Sequence, residues 1–312
     1  MNVYHILCEL FSWKEGRSMS LAKYEVFSTV VELGSLTRTA EKLGLTQSAV
    51  SHAIASLESE WGFALLTRGR AGIGLTPNGT RVLKHVRDII QRSELLKQEV
   101  ASIQGLETGT VRIGTFTSIS TQWLPGIMKR FQAEHPAIEI KLLEGDYDEI
   151  NDWITSGAVD FGFLSLTAAR PLDIIPLTKD NLLCIVPDES PYREMTVMSL
   201  AQLQAEPFIM PKWGKESDLL RIIKINRLSL NIKYEVLEDQ AIMAMVKNGL
   251  GISILPEMVL YEALDGIHMI GLEGDPYRTI VLAAVSFKQL SPAARKFKKH
   301  IAAWLSEQQV SL

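Results

Sequence analysis

SLTRTAEKLGLTQSAVSHAIASLESEWG, running from Ser35 to Gly62, decides how this chain is organised. Ser35 is a good helix N-cap, and Leu36, Thr39, Ala40 and Leu43 recur behind it at helical spacing. Gly44 stands where a left-handed residue is wanted to end that helix. Thr46 then caps a second helix whose apolar positions are Ala49, Val50, Ala53, Ile54, Leu57 and Trp61. The other face carries Gln47, Ser48, Ser51, His52 and Ser56, which are short or hydrogen-bonding and bear few charges. Two helices joined in this way describe a helix-turn-helix. The first packs, and the second offers its N-terminal residues, Thr46, Gln47, Ser48, Ser51 and His52, to base edges in a major groove. An ordinary helical hairpin of a core is the alternative. The polar cluster speaks against it, because Gln can hold adenine through both its donor and its acceptor.

Working outward, Leu21 to Leu33 reads as a helix with Tyr24, Phe27, Val30 and Val31 inward. After Gly62, two short strands surround the Gly-rich tip at Gly69–Gly72 and make a β-wing. Arg68 and Arg70 at that tip suit a phosphate or a narrow minor groove, unless they are simply solvated loop arginines. Thr76-Pro77 opens a further helix that runs to about Gln104. Val82, Val86, Ile89, Ser93, Leu96, Val100 and Ile103 follow alternating steps of four and three along it, a heptad seam with one polar interruption. The simplest partner for so narrow a stripe is its own copy, giving a dimer. The alternative is a helix lying along its own C-terminal half.

The 312 residues suffice for two or three domains, and 46% hydrophobic with 22% charged residues is ordinary for a globular protein. No apolar run reaches the ~18 residues that span a bilayer, so no membrane partner is expected. The net charge of −4 does not announce nucleic acid. Residues 1–109 hold 12 Lys+Arg against 11 Asp+Glu, so attraction to phosphate must come from a few placed residues, multiplied by dimerisation. Cys8 and Cys184 lie far apart, which fits a reducing cytoplasm. Cys184 sits in Leu182-Leu183-Cys184-Ile185-Val186 and reads as a small buried hydrophobe; redox sensing would need exposure and a nearby positive charge. Residues 1–18 fit poorly with the remainder. Lys14-Glu15-Gly16 can be encoded by a ribosome-binding sequence just before the Met19 codon, so these residues read as a non-native or mis-assigned extension.

Gly105–Gly109 breaks the long helix, and from Val111 strands and helices alternate, implying parallel sheets with covering helices. Strands are expected at 111–116, 138–143 and 161–166, and again at 207–210, 232–236 and 251–255, with a helix at 121–134 among those between them. Glu144…Asp148-Glu149…Gly157…Phe161 is echoed by Glu235…Asp239-Gln240…Gly249…Ile252, so two similar α/β lobes and a cleft between them are expected. Strands near 182–186 and 279–285 carry the chain between lobes, and the last helix, 292–306, returns to the first lobe. The turn Gly114-Thr115-Phe116-Thr117-Ser118 precedes a helix, so its hydroxyls and backbone N–H groups can hold an anion or carbonyl, unless they only cap that helix. Lys212 can pair with a carboxylate and Trp213 can cover an apolar body, while Asp146, Tyr147 and Ser165 would close the sides.

This constellation resembles the LysR-type transcriptional regulators over about residues 19 to 307. The resemblance is carried by Ser35-Leu36-Thr37…Ala40-Glu41…Leu43…Thr46-Gln47-Ser48-Ala49-Val50-Ser51…Ile54…Leu57-Glu58…Gly62…Leu65-Leu66-Thr67-Arg68…Leu75-Thr76…Gly79, and farther on by Val111-Arg112-Ile113-Gly114, Leu124-Pro125, Gly249-Leu250-Gly251-Ile252 and Leu255-Pro256. It implies an α/β protein with an N-terminal winged helix-turn-helix, a long linker helix and a two-lobed, periplasmic-binding-protein-like (type 2) effector domain. The expected divisions are 19–76 for DNA binding, 77–104 for the linker and dimerisation helix, and 105–110 for the hinge. Residues 111–187 with 286–312 form lobe I, and 188–285 form lobe II. The resemblance implies double-stranded DNA with an interrupted-palindrome operator, a dimer of dimers, RNA polymerase as partner of an activator, and a small effector, anionic by the chemistry of Lys212, touching Ser118. The family often has Pro where Ser48 stands, Arg at His52, an acid at Thr67 and a basic residue at Gly74. These departures thin the positive charge, so affinity leans on Arg38, Arg68 and Arg70.

Two other functions are open to such a chain. An enzyme would need site residues, but the six histidines are scattered, no His/Cys/Asp/Glu spacing suggests a metal, and no nucleophile elbow, P-loop or dinucleotide fingerprint is present, so neither catalysis nor a cofactor is expected. A solute-binding protein for transport would have no use for residues 35–76.

Overall fold

The computed structural model describes residues 21–69, 72–215, 217–262 and 265–308. The expected extension at 1–18 lies outside them, as do Cys8, Arg70 and the side chain of Arg68. The chain divides into two compact units within its longest helix, between Glu94 and Leu95.

The first unit contains α1 (Leu21–Leu33), α2 (Leu36–Leu43), α3 (Gln47–Trp61), the antiparallel strands β1 (Leu66–Gly69) and β2 (Gly72–Leu75), and the start of α4 (Pro77–Ile103). Ser35 accepts from the Arg38 backbone N–H at 3.3 Å, and Gly44 adopts φ 65° and closes α2. Thr46 caps α3 by accepting from the Ala49 N–H at 3.2 Å. Phe27, Val30, Val50, Ile54, Leu57, Leu65, Leu83 and Val86 form one core. Glu58 ties the wing to α3 by accepting from the N–H groups of Leu65 (2.7 Å) and Leu66 (3.3 Å). Gly79 is dictated by packing, since a Cβ there would stand 2.1 Å from the Leu65 carbonyl oxygen.

The seam on α4 is two different surfaces. Val86, expected against a partner copy, is only 3% exposed and belongs to the core of its own unit, which Val82 also packs against. The helix-turn-helix needs a floor, and the first turns of α4 supply it. Farther along, Ile89, Leu96 (64%), Val100 (45%) and Ile103 (85%) are exposed. Over this same stretch polar Gln98 is buried and accepts from the Ala293 N–H at 3.3 Å, while Glu99 pairs with Arg295 at 2.7 Å. Within the second unit, the end of α4 is therefore held through polar groups, and Leu96, Val100 and Ile103 are left outside.

The second unit opens with β3 (Gly109–Thr115), α5 (Thr117–Gln122), α6 (Leu124–Glu134), β4 (Ile138–Glu144), α7 (Tyr147–Thr155) and β5 (Phe161–Ser165). The single helix expected at 121–134 is two, interrupted at Trp123, with Pro125 in the first turn of α6. There follow β6 (Asp173–Pro187), β7 (Val197–Met198), α8 (Leu200–Ala205), β8 (Pro207–Pro211), α9 (Asp218–Ile225), β9 (Asn231–Val236), α10 (Asp239–Lys247), β10 (Ser253–Pro256), β11 (Ile267–Leu272), β12 (Tyr277–Ala284) and α11 (Pro292–Glu307).

The sheets are mixed rather than purely parallel. β3 pairs parallel with β4 and β5, and β8 with β9, but β12 runs antiparallel to β5 and β6, and β10 and β11 run antiparallel to β6. β6 serves both lobes. Its residues 173–181 pair with β12, and 182–187 pair with β10 and β11. The expected lobe boundaries shift accordingly. Leu182, Cys184 and Val186 lie in the second lobe's core, and Ile280–Ala284 lie in the first with Phe161, Phe163, Phe297 and Ile301. The crossings therefore fall near 181 and 276, instead of 187 and 285, because β12 continues the first lobe's sheet.

Candidate functional site

At the head of α3, Val50 and Ile54 are fully buried while Thr46, Gln47, Ser48 and His52 are exposed and Ser51 is half-buried. Buried and open positions alternate at helical spacing, so one face anchors the helix and the other presents short polar groups. Ala49, expected inward, is exposed and joins that open face. Thr46 Oγ1 lies 3.0 Å from Ser48 Oγ, so these two hydroxyls orient one another. Arg38 is exposed, but its guanidinium donates to the Leu33 carbonyl at the end of α1, so part of its hydrogen-bonding capacity is spent within the fold.

The second site is a cavity of about 440 Å³ between the lobes. Phe116, Thr117, Ser118, Glu144, Asp146, Tyr147 and Glu149 line it from the first lobe, and Lys212, Trp213, Leu237, Glu238 and Asp239 from the second. Six of the eight effector positions expected from sequence meet here: Thr117, Ser118, Asp146, Tyr147, Lys212 and Trp213. The other two do not. Thr115 is fully buried behind the turn, where its hydroxyl accepts from Ser120 at 3.4 Å. Ser165 is also fully buried, and donates to Asp218 at 2.5 Å, tying the end of β5 to the start of α9.

Arg278, on β12, was missed by the sequence reading, and it organises the floor of the cavity. It is 4% exposed; Nε donates to Asp180 Oδ2 at 2.8 Å, Nη1 to the Tyr147 hydroxyl at 2.9 Å, and Nη2 to Ser118 Oγ at 2.8 Å. Its guanidinium also lies 5.0 Å from the centre of the Phe116 ring. Burial alone would lower the Arg278 pKa, but the neighbouring Tyr147 and Asp180 oxygens outweigh it and hold the guanidinium charged. Burial pushes the Tyr147 phenol up despite the pull of Arg278, so it stays neutral. No local motif announces Arg278, because its partners come from three other segments.

The lining does not favour the expected anion. Glu144, Asp146, Glu149, Glu238 and Asp239 line the cavity together with Lys212 and Arg278, although the Asp146 and Glu149 carboxylates are held in the capping box of α7. Arg278 is already matched by Asp180, and Lys212 pairs with Glu235 at 3.1 Å. Asp239 accepts from Trp213 Nε1 at 3.0 Å. Ser118, receiving a hydrogen bond from Arg278, keeps its own proton to donate into the cavity.

Comparisons with known proteins agree with this architecture. Residues 21–80 match the bacterial regulatory helix-turn-helix protein, lysR family, and residues 104–306 match the LysR substrate binding domain. The HTH-type transcriptional regulator YvbU of Bacillus subtilis is 33% identical over 282 residues, covering 89% of this chain and 96% of its own. Full-length OxyR from Pseudomonas aeruginosa shares the fold with a TM-score of 0.71 at 18% identity, over 93% of this chain and 95% of that one. Full-length CbnR complexed with its target DNA does so with a TM-score of 0.63 at 22% identity, over 91% and 99%. With a helix-turn-helix at one end, a two-lobed domain at the other and both family models matched, the chain belongs to the LysR-type transcriptional regulators.

Proposed function

We propose that α3 reads operator bases through Gln47, Ser48, Ser51 and His52, and that a small molecule between the lobes governs this binding. The observation that carries the first half is the exposure of these short polar groups on a helix whose opposite face is fully buried. CbnR, which shares this fold, is solved in complex with its target DNA, in keeping with DNA as the partner here. Arg68, on β1, and Arg70, which lies outside the described residues, add phosphate contacts. Two copies joined along Ile89, Leu96, Val100 and Ile103 present two such helices to the half-sites of an interrupted palindrome, and two dimers form the tetramer. RNA polymerase is the partner if the chain activates. The place of action is the cytoplasm, where a chain with a lysR-family helix-turn-helix would meet its operator. Catalysis forms no part of this reading.

The effector is a neutral or zwitterionic polar molecule. It accepts from Ser118 and Lys212 and donates to the carboxylates of Glu144, Glu238 or Asp239. A ligand shifts the protein only if it binds one arrangement of the chain better than another. Gel shifts with the DNA upstream of the chain's own gene test the reading. Operator binding should require Gln47 and respond to the effector; binding equally tight to any DNA would refute it.

A further inference from the structure

Local spacing offers no metal site, but tertiary packing does. Glu134 and His135, at the end of α6, meet His300 on α11, and one ligand atom from each lies within 4.8 Å of the others. None of the three lines the effector cavity. We propose that Glu134, His135 and His300 bind a divalent transition-metal ion of the zinc class.

The surrounding groups are arranged as they are around metal-bound imidazoles. His135 Nδ1 lies 2.6 Å from Glu107 Oε2, and His300 Nδ1 lies 3.1 Å from the Lys296 carbonyl oxygen. Each Nδ1 faces an acceptor and so carries the ring proton, which leaves Nε2 as the ligand atom. Outer acceptors of this kind fix the tautomer and raise the basicity of a ligating histidine. His300 Nε2 in turn faces Glu134 Oε2 at 3.1 Å. A cation between these two atoms would take both as ligands, and the experiment separates that arrangement from a plain His300–Glu134 ion pair.

The rings are also held in place before any ion arrives. Side-chain exposure is 13% for His135 and 18% for His300, and the Phe131 ring lies 4.9 Å from one and 5.1 Å from the other. Two carboxylates, Glu134 and Glu107, are offset by one ammonium, Lys296, which pairs with Glu107. The remaining negative charge favours a dication. Two nitrogens and one carboxylate oxygen suit zinc, nickel or cobalt better than magnesium or calcium, which take oxygen throughout. Glu107 lies between α4 and β3, so an ion on His135 would fasten the segment leaving α4 to the first lobe.

The test uses the untagged full-length chain, stripped with a chelator and equilibrated with zinc chloride. Elemental analysis should find about one ion per chain, and calorimetry should show binding weakened tenfold or more in Glu134→Gln and in His300→Gln. Glu107→Gln, which touches no ion, should cost between about 10- and 100-fold. Glu134 is exposed, so Glu134→Gln decides the matter if His300→Gln fails to fold. No zinc retained above a protein-free control, or zinc retained equally by the wild type and both ligand variants, would overturn the proposal.

Discussion

Arg278 Nη2 donates to Ser118 Oγ at 2.8 Å, joining residues 160 positions apart in the chain. The same guanidinium meets Asp180 Oδ2 at 2.6 Å, so one buried cation aligns the cavity-lining serine and neutralises a buried carboxylate. Arg278→Met should therefore cost the chain about 3–5 kcal/mol, because Asp180 is left buried without its counter-ion. Urea unfolding followed by Trp fluorescence measures this. Arg278→Met combined with Asp180→Asn should cost less than the sum of the two single changes. Additivity within about 0.5 kcal/mol would show that the pair is not coupled.

Gln47 is exposed at the first turn of α3. Gln47→Ala should cost about 1–3 kcal/mol on operator DNA and little on random DNA, whereas Arg68→Ala should weaken both and lower the salt slope. Fluorescence anisotropy at two salt concentrations distinguishes them. Equal loss on both DNAs in Gln47→Ala would remove Gln47 from base reading.

Charges placed on the two surfaces of α4 should behave differently. Leu96→Asp with Ile103→Asp puts carboxylates on an exposed stripe, so the subunit should stay folded while the oligomer dissociates and operator binding falls. Val86→Asp buries a charge in the core of the DNA-binding unit and should unfold that unit instead. Light scattering and circular dichroism read the two outcomes. An oligomer unchanged by the first pair would assign assembly to another surface.

Thermal-shift screening of the full chain should favour neutral and zwitterionic polar compounds over dicarboxylic acids, given the five carboxylates that line the cavity. A hit should disappear in Ser118→Ala and weaken in Asp239→Asn. Dicarboxylates dominating the hits would restore the anionic effector.

Burial pushes the Cys184 thiol up to about 12, so this cysteine should resist alkylation in the folded chain at pH 8 and react only on unfolding. Mass-mapped iodoacetamide labelling checks this; rapid native labelling at Cys184 would revive a redox role.

The helix-turn-helix was legible in the sequence because its determinants are local. Ser35, Gly44, Thr46 and Gly62 end or begin helices through contacts within a few residues, and Val50, Ile54 and Leu57 share a face by helical period alone. The turn at Thr117-Ser118 and the pair Lys212-Trp213 were legible for the same reason, as polar groups at the ends of strands. Periodicity could not say what a stripe packs against. Val86 and Leu96 keep one heptad register, yet the first lies under its own DNA-binding unit and the second faces outward, because what covers each turn of α4 comes from distant segments. Ser165 reads as a cleft hydroxyl until Asp218 reaches it from the other lobe. The partners of Arg278 and the approach of His300 to Glu134 and His135 likewise depend on which strands and helices become neighbours. Sequence determined the elements and their caps, where the physics acts over one or two helical turns. Tertiary structure alone decided the buried charge network and the clustered histidines, because electrostatics and ligation depend on distance through space and not along the chain.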